Sequence, residues 1–100
     1  MIIVKETIYE GEAKHFAGVD SIEGKLYLTK ESIVFIPQKL NIQNHALAMP
    51  VEEIRSYSLS NNHGIVPNGL TIYTKSGGME KFAVKKRKVW IEKIRARCGH

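Results

Sequence analysis

A mainly β fold closed by one terminal amphipathic helix is what this 100-residue sequence predicts, and three observations carry that prediction. From Ile8 to Val84 apolar residues recur mostly with a period of two, the spacing of half-buried strands. Groups of Gly, Pro, Asn, Asp and Ser break this pattern at short intervals, as turns between short strands do. After Val84 the period lengthens, and Trp90, Ile91, Ile94 and Cys98 fall on one helical face. No repeat, low-complexity tract or flexible linker divides the chain, so residues 1–100 read as a single domain. A domain of this length buries roughly two-thirds of the surface its unfolded chain exposes, enough for one modest core.

The elements follow in order. Residues 8–16 form the first strand, although "YEGEAKHF" is polar, and "HFAGVDSIEG" reads as the loop after it. In Lys25–Thr29 the alternation places Leu26 and Leu28 together. In the next run Ile33 and Phe35 share a face, with Val34 and Ile36 opposite. Both runs are rich in β-formers. Thr29-Lys30-Glu31-Ser32 joins them as a hairpin, without the Asn-Gly or Asp-Gly of the tightest turns. Pro37 closes the second strand or marks an edge. "PQKLNIQNH" is a loop, and Ala46–Met49 a short strand stopped by Pro50. Pro50 is also suited to start a helical turn over residues 51–54. Arg55–Leu59 alternates, with Arg55, Tyr57 and Leu59 on one side; "SNNHGIVPNG" then reads as a loop turning at Pro67-Asn68-Gly69. Leu70 and Ile72 share the inner face of a strand, Ser76-Gly77-Gly78 turns, and Met79–Val84 returns. The helix is expected over residues 85–98, with Gly99 as its stop. Trp90 and Ile94 are its anchors against the β structure, since an aromatic in an apolar helical stripe fills a core more often than it stacks on a ligand. About seven strands in so small a domain must close or stack to cover their inner faces. One helix can then plug the open end.

Charge is unevenly spread. The net charge is +5, but residues 1–50 carry five basic and six acidic side chains, whereas residues 51–100 carry ten and four. Such asymmetry draws phosphates, anionic headgroups or acidic protein surfaces, or simply keeps a face solvated. Lys85-Lys86-Arg87-Lys88 stands out, because cations at a helix N-terminus oppose its dipole at about 0.3–1 kcal/mol each. Together with Lys81 these four residues are the candidate anion or lipid site. The competing explanation places some of them on the preceding strand, solvated at little cost.

Catalytic chemistry is not evident. The sequence holds no GxxxxGK[ST], GxGxxG, HExxH or GxSxG motif, and no catalytic residue, cofactor or metal site is assigned. His15, His45, His63 and His100 are spaced too irregularly for a shared metal and read as surface or loop residues. Cys98, the only cysteine, excludes an internal disulfide, fits a reducing compartment, and reads as a structural thiol on the buried stripe. The N-terminus lacks the long apolar stretch of a secretory signal, and no run is long enough to span a bilayer.

Three segments together resemble a GRAM domain, a member of the pleckstrin-homology (PH)-like superfold. They are "EGKLYLTKESIVFIP", "ALAMPVEEIRSYSL" and "PNGLTIYTKSGGMEKFAVKKRKVWIEKI". The matching features are Gly24 before "LYLT", a strand ending in Phe35, "PVEEI" before a strand, a Gly turn, Phe82-x-Val84, Arg87, Trp90 and Ile94. The resemblance covers roughly residues 11–95. It implies a seven-stranded, bent β-sandwich or partly open barrel capped by the C-terminal helix, and a non-catalytic module that binds lipid headgroups in some members and proteins in others. Many PH domains hold inositol phosphates with basic residues around the first strand pair. Here Lys14 and Lys25 flank that loop, Tyr27 takes the place of a second basic residue, and Asp20 and Glu23 lie within it.

The leading expectation is therefore a cytoplasmic binding module that recognises a protein segment or a polar lipid headgroup. One alternative is peripheral attachment to an anionic membrane through the C-terminal basic cluster. Nucleic-acid binding has only that cluster and Tyr27, Tyr57 and Tyr73 in its favour. Self-association through edge strands is the remaining option.

Overall fold

The computed structural model describes residues 6–17, 20–39, 46–62 and 66–98. These residues form β1 (Thr7–Ala17), β2 (Asp20–Thr29), β3 (Ser32–Pro37), β4 (Leu47–Pro50), a 3-10 turn (Val51–Glu53), β5 (Ile54–Asn62), β6 (Val66–Thr74), β7 (Met79–Val84) and α1 (Arg87–Cys98). The strands make one antiparallel sheet in the order β4-β3-β2-β1-β7-β6-β5. The sheet is therefore open, with β4 and β5 as its edges. Only the three residues of the 3-10 turn join those two edges, so the sheet must curl until its ends approach each other. Curling brings the inner faces of both halves into one core: Leu26, Leu28, Ile33 and Phe35 from one side, Leu70, Ile72, Phe82 and Val84 from the other.

Helix α1 closes one end of this curl. Trp90 is 1% exposed and Ile94 0%. The indole meets Tyr9 of β1 edge-on, with ring centroids 4.7 Å apart. Polar ties flank this apolar seat. Arg97 Nη2 donates to Lys30 O in the β2–β3 turn at 2.8 Å, and Arg87 Nη1 donates to Ser60 O of β5.

The β2–β3 hairpin turns without Asn-Gly because Thr29 supplies the missing acceptor. Its Oγ1 accepts from Ser32 N at 3.0 Å and Glu31 N at 3.3 Å, the local capping that hydroxyl residues give a turn. The β6–β7 turn uses Gly77 at φ +94°, backbone that glycine adopts without steric cost.

The structure corrects several boundaries. Most of "HFAGVDSIEG" is strand: β1 continues to Ala17 and β2 begins at Asp20, because the two strands pair from Ala17↔Asp20 as a long hairpin. Pro67-Asn68-Gly69 lies inside β6 and not in a turn; the register there shifts between Ser60 and Asn62, and residues 63–65 fall outside the described residues. Pro50 is the last residue of β4, opposite Ser32. A bulge between Ile54 and Ser56 breaks the expected alternation. Arg55 consequently lies over Tyr73, 5.8 Å from its centroid, while Tyr57 packs on the core. The helix starts two residues later than expected, at Arg87.

Candidate functional site

The inner face of the sheet is mostly apolar, and the charged side chains of β1 and β2 lie on the outer face. There the strand registers bring distant residues into rows. One row runs Ile36–Lys25–Glu12 across β3, β2 and β1, with Lys85 following at the end of β7. The next runs Gln38–Glu23–Lys14–Ala83–Gly69, from beyond β3 across to β6. Long charged side chains occupy this face of β1 and β2, whereas β7 presents the short side chain of Ala83. A cleft of about 880 Å3 lies over these rows.

Four cations line this cleft: Lys14, Lys25, Lys85 and Lys86. Glu12 and Glu23 line it too, and Tyr27, Ile36 and Pro37 supply apolar wall. The charges are partly matched. Lys85 Nζ lies 3.4 Å from Glu12 Oε2, and Lys25 Nζ lies 3.5 Å from Glu10 Oε2. These side chains are well exposed, so each pair contributes little to stability. Lys14, Lys86 and Glu23 form no ion pair among the described residues.

The five cations of the expected basic cluster occupy different environments. Lys85 and Lys86 line the cleft. Lys81 is exposed on β7, opposite Phe16 of β1 and Thr71 of β6. Lys88 is exposed in the first turn of α1. Arg87 reaches across to the Ser60 carbonyl and so joins the helix start to β5. Lys86 itself has φ +54°. Its carbonyl accepts from Val89 N at 2.9 Å and Trp90 N at 3.2 Å, which makes it the residue from which the helix springs. A non-glycine residue in this left-handed region is uncommon.

A second polar feature lies on the inner face. His15 is 6% exposed. Its ring sits against Phe35 and Phe82, with centroid distances of 5.4 and 5.0 Å. Nε2 lies 2.7 Å from Glu80 Oε1, and the buried Nδ1 has no hydrogen-bond partner among the described residues. The expectation of a surface or loop histidine is therefore corrected. The sequence signal was available: His15 is two residues from Ala13, on the same side of an alternating strand. His45, His63 and His100 lie outside the described residues. Among the described residues no group of three potential metal ligands gathers, and no helix is long and apolar enough to cross a membrane.

Cys98 is half-buried at the end of α1, and burial pushes its thiol up from the ordinary value while the neighbouring Arg97 opposes the shift.

No family model matches the sequence, and no curated protein resembles it closely enough to count as a relative. Solved structures do resemble its fold. The C-terminal domain of an unknown protein from Leishmania infantum superposes with a TM-score of 0.82 at 12% identity, over 94% of this chain and 84% of that one. The Slm1-PH domain in complex with phosphoserine gives 0.70 at 11% identity, over 94% and 97%. The DH/PH domains of p115-RhoGEF give 0.68 at 10% identity, over 93% of this chain but 30% of that one. At these identities the likeness establishes the fold: seven antiparallel strands in an open, curled sheet with one C-terminal helix, as in PH domains.

Proposed function

We propose that residues 1–100 form a single non-catalytic binding module of GRAM type within the PH-like superfold, and that its outer-face cleft holds an anionic, polar lipid headgroup. The observation that carries this reading is the convergence of Lys14, Lys25, Lys85 and Lys86 on one concave surface. They are drawn from opposite ends of the chain. Lys81 and Lys88 are exposed outside the cleft lining and add to the positive charge available to an anionic surface. Two solved Slm1-PH structures, in complex with phosphoserine and with inositol-4-phosphate, are consistent with phosphate recognition on this fold. The module would act in the cytoplasm, at the periphery of a membrane.

Vesicle cosedimentation at low and physiological salt tests this. Each lysine near an anionic surface contributes about 1 kcal/mol, so a Lys14→Ala/Lys86→Ala variant should bind roughly thirty-fold more weakly than wild type. Absence of wild-type binding at both salt concentrations would overturn the proposal.

A second reading, recognition of a protein segment, has one observation in its favour. Among the described residues β5 pairs with β6 alone, and Leu59 on that edge strand is 39% exposed. Extended peptides add to such edges. Chemical-shift changes confined to residues 54–60 on adding a partner would favour it over the cleft.

A further inference from the structure

The outer face of β1 changes character along its length. Glu10, Glu12 and Lys14 are charged and exposed, but the next outward residue is Phe16, an aromatic left half-buried. Strand register carries this change across the sheet. Phe16 stands opposite Lys81 of β7, and Lys81 opposite Thr71 of β6. In the neighbouring row Met79 of β7 stands opposite Tyr73 of β6. Met79 is 49% exposed, more than any other large apolar side chain among the described residues. The bulge at the start of β5 then brings Arg55 over the Tyr73 ring, 5.8 Å from its centroid. Neither row carries a carboxylate. Arg55 and Lys81 form no ion pair among the described residues. Tyr, Phe, Met and Arg are the residues enriched where proteins meet. Stacking on Tyr73 also holds the guanidinium in place, so less freedom is lost when its planar fork meets a carboxylate.

We propose that this face, formed by β5, β6, β7 and the end of β1, docks an acidic protein segment that carries an apolar side chain beside its carboxylates. Charge complementarity selects the acid. Arg55 takes one carboxylate by paired hydrogen bonds, and Lys81 attracts a second. Met79, with the edges of Tyr73 and Phe16, receives the apolar side chain. A lipid headgroup would answer the two cations but leave Met79 against polar groups. A second copy of this chain would set like charges against each other, which is repulsive. None of these five residues lines the headgroup cleft.

The test follows amide chemical shifts of the full chain on adding the peptide acetyl-Glu-Glu-Leu-Leu-Glu-Glu-amide at millimolar concentration. Versions with Gln for Glu and with Ser for Leu are the controls. The acidic leucine peptide should shift residues 55, 73, 79 and 81, and each control should bind roughly five-fold more weakly. Arg55→Gln and Met79→Ser should each weaken the peptide by roughly five- to ten-fold, the range of an interface anchor. Met79→Ser should melt like wild type, since its side chain is exposed. Lys14→Ala/Lys86→Ala should leave peptide affinity unchanged. Equal binding of the serine control, or shifts centred on Lys14 and Lys25, would mean that charge alone draws the peptide; either overturns the inference and leaves the headgroup reading intact. Perturbation of Tyr73 and Met79 by anionic vesicles, with vesicle affinity lost on Met79→Ser, would assign this face to a membrane and overturn it as well. Absence of any peptide-induced shift removes the docking face and bears on nothing in the cleft.

Discussion

At the scale of single residues, Gly24 shows how closely the sheet is drawn together. A Cβ there would come within 2.3 Å of Ile36 O and 2.9 Å of Pro37 Cα. Backbone cannot yield as a flexible side chain does, so Gly24→Ala should destabilise the fold by about 1–3 kcal/mol, as overpacking does. Denaturant unfolding measures this, and an unchanged midpoint would show that β2 and β3 separate easily. Cys98 makes a chemical prediction. Burial favours its neutral thiol, and the thiolate is the reactive form. Labelling by a disulfide reagent near neutral pH should be slower than for free cysteine, and should accelerate only above the usual thiol range. The linkage has the same sign. A thiol whose folded value is raised stabilises the fold below its unfolded value, and that contribution is lost as pH rises through the folded one.

At the scale of elements, α1 divides its work between faces. Trp90 and Ile94 seat it on the open end of the sheet, and Trp90→Ala should cost about 3–5 kcal/mol. Thermal melting followed by circular dichroism reads this; a loss below 1 kcal/mol, the size of an ordinary surface change, would mean that the helix does not close the core. The helix start separates structure from binding. Lys86 holds a left-handed backbone, which costs a non-glycine residue about 1–2 kcal/mol. Lys86→Gly should therefore preserve or raise the melting temperature while weakening vesicle binding. A fall in both would show that the lysine side chain supports the helix. Arg87, by contrast, donates to Ser60 O, and its removal should lower stability by about 0.5–1.5 kcal/mol.

At the scale of the molecule, the uneven charge of the sequence is redistributed by strand pairing. The acidic first half supplies Glu12 on β1, and the basic second half supplies Lys85 beside it. Glu12→Gln should therefore free Lys85 and strengthen binding to anionic vesicles by several-fold at low salt, an advantage that shrinks as salt screens exposed charge. Unchanged affinity in a vesicle titration would place Lys85 outside the binding surface.

Much of the fold was legible in order and period. Leu26, Leu28, Ile33, Phe35, Leu70 and Ile72 alternate along their strands and are buried, because a pleated strand sends every second side chain to the same side. The stripe of Trp90 and Ile94 marked the face of α1 that packs inward for the corresponding helical reason. What local pattern could not reveal were features that need a neighbour: the long β1–β2 hairpin across polar sequence, the bulges of β5, and the burial of His15 between two phenylalanines. The cleft belongs with these. Lys85 and Lys86 stood out in the sequence as part of a charged run, but Lys14 and Glu23 drew notice only through the family resemblance, and Lys81, Arg87 and Lys88 lie outside the lining. Periodicity along a chain records which face of an element avoids water, and this the sequence determined by itself. Which charges stand side by side depends on register between strands many residues apart, and only the tertiary structure decided that.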